Sequence, residues 1–101
     1  MYTVLYQWKI RSGKQQEFMS AWEEVTDYYL KNHEALGSRL HQIDDHSFAA
    51  YAQWASKADR DKAFASVDSP DSAIERMRAC VVDRLDPIEM VMILDKLKQN
   101  D

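Results

Sequence analysis

The sequence predicts an α+β domain, a four-stranded antiparallel sheet with its helices on one face, and three stretches carry that expectation. Tyr2–Ile10 alternates apolar and mixed positions, residues 14 to about 33 carry an apolar stripe at helical spacing, and the uncharged, aromatic Phe48–Trp54 runs through Ser56 into a second helix. Period two marks a strand and period 3.6 a helix, so the chain opens strand, helix, strand, strand, helix. At 101 residues it suffices for one domain, residues 1–101, and not two.

In the first strand Tyr2, Val4, Tyr6, Trp8 and Ile10 point one way and Thr3, Leu5, Gln7 and Lys9 the other. Arg11-Ser12-Gly13-Lys14 is a turn in which Ser12 is a candidate helix cap. On the following helix Phe18, Ala21, Trp22, Val25 and Tyr29 form one face, with Glu17, Glu23, Glu24 and Asp27 on the other side. Asp27 and Lys31 stand at the i,i+4 spacing of an ion pair. Ala35 and Leu36 read as the helix tail, ended by Gly37. Ser38–Ile43 is a short strand joined to the Phe48 strand by Asp44-Asp45-His46. A three-residue loop pairs Leu40 with Ala50 and puts Leu40 and Phe48 on one side; a two-residue loop would flip one strand relative to the other.

Ser56 with Asp59 three residues on is a capping-box variant. Ser69-Pro70 restarts the chain as cap and first helical residue. The helix that follows is expected to bury Ile74, Met77, Val81 and Leu85, and Asp86-Pro87 to stop it. Residues 88 to 97 read as the last strand, apolar on both faces from Met90 to Leu94, before the polar tail 96–101. The order is the ferredoxin-like βαββαβ arrangement with two helical pieces in its second half. In the usual strand order 4-1-3-2 the last strand is an edge, and an edge apolar on both faces is a hazard unless covered. With Leu5, Tyr51 and Val91 or Met92 on the open sheet face, a homodimer is the economical cover.

Composition narrows the partners. Hydrophobic residues at 46% and charged residues at 30% give the balance of an ordinary folded protein. A net charge of −4 without a basic block argues against nucleic acid and anionic membrane surfaces. No apolar run approaches a membrane span, and MYTVLYQWKI lacks the pattern of a signal peptide. One cysteine, Cys80, excludes an internal disulfide and fits a cytoplasmic setting. With only Gly13 and Gly37 there is no glycine-rich phosphate loop. His33, His41 and His46 with Asp44 and Asp45 lack convergent ligand spacing, so no metal is expected. Cys80 reads as a small core residue rather than a nucleophile.

Several segments together resemble the antibiotic-biosynthesis-monooxygenase-like group of dimeric α+β barrels. They are Trp8-Lys9-Ile10-Arg11-Ser12-Gly13-Lys14, Glu17-Phe18, Ala21-Trp22, Gly37-Ser38-Arg39-Leu40 and Tyr51-Ala52-Gln53-Trp54-Ala55-Ser56. The resemblance covers nearly the whole chain. It implies a dimer whose two sheets form a barrel, with a pocket between sheet and helices in each subunit. Some members resemble cofactor-independent monooxygenases of phenolic or quinol-like molecules, in which the substrate anion itself reacts with oxygen; no cofactor is then expected. Another branch opens haem with an Asn, a Trp and a His. Here Tyr6 stands at the Asn position, Ala63 or Phe64 near the Trp position, and no His follows His46, so that activity is set aside.

The candidate ligand-binding residues are Tyr6, Trp22 and Trp54, helix-facing aromatics with polar handles, and Arg39 on the hairpin. Trp8, Tyr29 and Phe64 could join them, although aromatic stripes at these spacings bury by default. His41, beside Arg39 and Tyr51, is the candidate general base because imidazole titrates near neutral pH, and Tyr51 is its catalytic companion. A solvated or interface histidine is the plainer reading of His41. Two functions follow: a cofactor-independent oxygenase of an aromatic or quinone-like ligand, or a non-catalytic binding dimer on the same fold.

Overall fold

The computed structural model describes residues 1–98. Its elements are β1 (Tyr2–Ile10), α1 (Gln15–Asn32), β2 (Ala35–Gln42), β3 (Ser47–Trp54), α2 (Lys57–Ala65), α3 (Asp71–Ala79), β4 (Val81–Arg84) and β5 (Ile88–Val91). The strands make one antiparallel sheet in the order β2-β3-β1-β4, with β5 also paired to β1. This is the expected α+β arrangement, with its last strand divided. Among the described residues no helix is long and apolar enough to cross a membrane.

The division corrects the expected end of the chain. The last helix stops at Ala79, and Val81–Arg84 pairs with β1 instead of extending the helix to Leu85. Val81 continues the i+4 spacing from Met77, which made it look helical. Val81-Val82 is nonetheless a β-branched pair that favours a strand, and the free edge of β1 gives that strand a ladder. Leu85 is half exposed rather than buried. Pro87, which has no N–H to donate, falls between β4 and β5 and interrupts the ladder. β5 ends at Val91, opposite Tyr2, so residues 92 to 97 lie outside any strand. The last three residues of the expected polar tail lie outside the described residues.

Three smaller expectations shift. Ser12 does not cap α1, whose N-cap is Lys14 without a side-chain bond; Gly13 takes a φ of 80° in the turn before it. Ala35 and Leu36 already belong to β2, because Gly37, at φ 116°, supports an irregularity in the ladder rather than ending a helix. Pro70 sits at the N-cap of α3, so that helix begins one residue later than expected. Ser56 caps α2, its hydroxyl accepting from the Asp59 amide at 3.2 Å. Among the described residues Asp27 and Lys31 form no ion pair. The acids of α1 reach across instead, and Arg76 of α3 meets Glu17 at 3.2 Å and Glu24 at 3.3 Å.

The hairpin has the three-residue loop, and Leu40 pairs with Ala50. Asp44 Oδ1 accepts from the His46 amide at 3.0 Å and closes the turn. The helix-facing side of the sheet holds two buried clusters. Trp8, Ile10, Phe18, Phe48, Ala50 and Cys80 form one, and Tyr2, Val4, Trp54 and Ala63 the other. Tyr6, half-buried, packs against both.

Candidate functional site

Between sheet and helices lies a cavity of about 690 Å³. Its origin is a mismatch of side-chain size. The helix-facing positions of β2 and β3 near its floor are small, namely Ala35, Gly37, Ser38 and Ala52, while the opposing stripe of α1 ends in Trp22, Val25 and Tyr29. Phe18 and Ala21, at the start of that stripe, are fully buried. The later residues are only partly buried because these small positions leave space opposite them, with Trp54 reaching Tyr29 at the far end. A volume of this size suits a drug-sized molecule.

Aromatic faces make the walls. Tyr6 and Trp8 stack with centroids 5.9 Å apart and planes 12° apart. At the other end Tyr29, Trp54 and Phe64 form a cluster with centroid separations of 5.4, 6.0 and 6.2 Å. Trp22 closes the α1 side.

The charged lining has one sign. Among the described residues Arg60, Arg78 and Arg84 are the only Asp, Glu, His, Lys or Arg side chains along the wall, in a chain whose net charge is −4. Arg60 comes from α2 and lays its guanidinium carbon 4.6 Å from the Phe64 ring centroid. Its Nη1 is 3.4 Å from Asp61, a half-exposed carboxylate that Lys57 also holds at 2.8 Å. Arg60 Nε and Trp54 Nε1 are buried and have no hydrogen-bond partner among the described residues. An unmet buried donor costs about 1–3 kcal/mol, so each favours an acceptor brought by a ligand. Burial pushes the Tyr29 phenol above its ordinary range, which keeps its hydroxyl protonated.

The structure brings Tyr6, Trp22 and Trp54 together around the cavity, with Trp8, Tyr29 and Phe64. It does not bring Arg39, His41 and Tyr51 to it. The register that pairs Leu40 with Ala50 pairs Arg39 with Tyr51 and His41 with Ala49, and Tyr51 with Leu5, all on the opposite sheet face. There Arg39 Nη1 donates to the Tyr51 hydroxyl at 3.1 Å, and the His41 and Tyr51 rings stack at 5.6 Å. His33 packs among Tyr28 and Tyr29, and His46 sits in the exposed hairpin turn. Among the described residues no three of His, Cys, Asp and Glu converge as a metal site.

The arginines were the residues that sequence reasoning missed. Arg60 had a readable signal: the Ser56 cap fixes the phase of α2, and Arg60 stands four residues before Phe64 on the same face. Arg84 had none while its segment read as helix; its pairing with Trp8 puts it on the cavity side.

No family model and no curated protein sequence matches the chain. Solved structures do match it along nearly its whole length. SnoaB from Streptomyces nogalater, a cofactor-independent oxygenase, is similar with a TM-score of 0.78 at 15% identity, over 96% of this chain and 97% of that one. A structure described as an antibiotic biosynthesis monooxygenase is similar with a TM-score of 0.69 at 18% identity, over 94% and 99%. A conserved protein from Methanosarcina mazei Go1 gives 0.75 at 15% identity, over 88% and 89%. The chain has the fold of the antibiotic-biosynthesis-monooxygenase-like proteins.

Proposed function

We propose that the protein is a cofactor-independent monooxygenase acting on a flat phenolic or quinol-like molecule held in the aromatic cavity. The observation that carries this reading is the lining itself, aromatic faces joined by polar groups that are mainly donors or cations. Such a wall favours an electron-rich aromatic in its ionised form, because positive charge and donor groups lower the pKa of a bound phenol. The anion then reduces dioxygen. For a ring-activated methylene the balance is one CH₂ and one O₂ giving one carbonyl and one water, with all electrons drawn from the substrate. The arginines hold the anion, the aromatic walls exclude water, and the proton leaves to solvent at the mouth. The fold shared with SnoaB supports the same reading.

The second reading, a binding dimer without catalysis, is favoured by one observation: among the described residues the lining holds no His, Asp, Glu or Lys to act as general base. Oxygen consumption against a panel of anthrones and quinols separates the two. Enzyme-dependent uptake with carbonyl or quinone product supports the oxygenase; tight binding with no uptake above the spontaneous rate replaces it with the binding module.

A homodimer and a cytoplasmic location complete the proposal. Ile88, Met90 and Val91 of β5 are exposed, as are Ile93, Leu94 and Leu97 beyond it. A second copy laid over this edge and the open face would cover them, with Arg39, His41 and Tyr51 in the contact. Cys80 as a free thiol fits a reducing compartment.

A further inference from the structure

The arginines of the cavity differ in depth. Arg60 is partly buried, with its Nε shielded and without a partner among the described residues, and so is the indole N–H of Trp54; both side chains pack on Phe64, at 4.6 and 6.0 Å from its centroid. Arg78 and Arg84 are exposed, and neither forms an ion pair among the described residues. Arg60 shares the aromatic cluster at the end of the sheet where Trp54 pairs with Tyr2, whereas Arg84 pairs with Trp8. Those positions are six residues apart along β1, roughly 20 Å at strand rise. The cavity therefore has an inner donor site at one end and a cationic rim towards the other.

Guanidinium and indole N–H groups donate and cannot accept, so the two unmet groups of the inner site call for an acceptor. A guanidinium presents parallel N–H groups, the geometry that a planar two-oxygen anion meets. Resting on the reading that the cavity holds an aromatic molecule, we propose that its ligand is an aromatic acid. The ring system lies between the aromatic walls, and the carboxylate accepts from Arg60 Nε and Trp54 Nε1. Arg78 and Arg84 at the rim draw the anion in and contribute long-range attraction.

Calorimetric titration with anthraquinone-2-carboxylate, anthraquinone-2-carboxamide and 2-hydroxyanthraquinone tests this. The carboxylate is expected to bind roughly 10–100-fold more tightly than the carboxamide, the range of charge-assisted hydrogen bonds. Arg60→Gln is expected to weaken the carboxylate far more than the carboxamide and so to erase most of that difference. Arg78→Gln and Arg84→Gln should each weaken the carboxylate by a smaller factor and flatten its salt dependence. Equal affinity for acid and amide overturns the proposal and leaves the aromatic cavity standing. Preference for 2-hydroxyanthraquinone over the carboxylate also overturns it, in favour of a phenolate site. If none of the three binds, the aromatic-ligand reading falls with it. Acid-selective binding with no oxygen uptake by any anthrone or quinol keeps the acid site and removes the oxygenase. Should Arg60→Gln unfold, the wild-type protein still decides, since a carboxylate affinity indifferent to salt and to amidation is incompatible with the site.

Discussion

Trp54 and Phe64 meet edge to face, their ring centroids 6.0 Å apart and their planes at 89°. The contact joins the end of β3 to the last turn of α2, and α2 has little else to hold it. Its buried residue is Ala63, and its remaining side chains are mostly polar. Phe64 is 48% exposed, so it serves less as core filling than as a clasp across the cavity.

Phe64→Ala is therefore expected to loosen α2 without unfolding the sheet. The loss should be about 1–2 kcal/mol, an aromatic pair plus half a ring of burial. Thermal melting would register this as a fall of roughly 4–16 °C. Hydrogen exchange should rise in residues 57–65 and stay unchanged in β1. Uniform loss of protection across the sheet would show that Phe64 is core after all.

The two tryptophans both line the cavity but differ in how much of the core they carry. Trp54 is 3% exposed and belongs to a buried cluster, so Trp54→Ala should destabilise by about 3–5 kcal/mol. Trp22 is only partly buried against its cluster and faces the cavity. Trp22→Ala should lower stability by about 1–2 kcal/mol and weaken aromatic ligands by more than that loss explains. Chemical denaturation alongside ligand titration gives both quantities; equal effects of the two variants on stability would contradict a cavity at Trp22.

What could be read in the sequence divides along physical lines. The hairpin register was readable in part: the Asp44-Asp45-His46 loop and the alternation of Leu40 and Phe48 favour the three-residue loop that forms, but a two-residue loop satisfies the same local sequence, and the pairing of β3 with β1 selects between them. The aromatic walls were readable from helical and strand periods. The face of Arg39, His41 and Tyr51 turned on that same register, and the three lie away from the cavity. Residues 81–84 were not readable, because Val81 satisfies the helical period from Met77 and the strand period equally. Only the unpaired edge of β1, a tertiary fact, decides between them. The cationic lining depended on that decision at Arg84. The void itself depended on Ala52 and Gly37 opposing Trp22 and Tyr29, which no period reports.

The exposed edge makes the dimer testable. Val91 is 70% exposed and Ile93 94% exposed in the single chain. Light scattering after gel filtration at micromolar concentration should give about twice the 11.8 kDa chain mass. Val91→Asp or Ile93→Lys would set an unpaired charge against apolar surface and should yield monomer or aggregate. A monomeric wild type with a normal melting transition would remove the second copy from the proposal.

Tyr29 supplies a pH dependence whose sign follows from its surroundings. Burial is the largest cause that holds its phenol above the ordinary 10.0, with Tyr28, Asp71 and Tyr6 acting the same way. A folded pKa raised above the unfolded one means that the unfolded chain releases this proton first. The stability tied to the neutral phenol is therefore fully present below about pH 10 and is lost as pH rises through the folded value. Among the five tyrosines, a tyrosinate absorbance titration should reveal a late step, and Tyr29→Phe should remove it. The same variant should flatten the fall of melting temperature between neutral pH and about pH 11. A late step that survives in Tyr29→Phe would assign it to another phenol and deny Tyr29 its buried, neutral place in the wall.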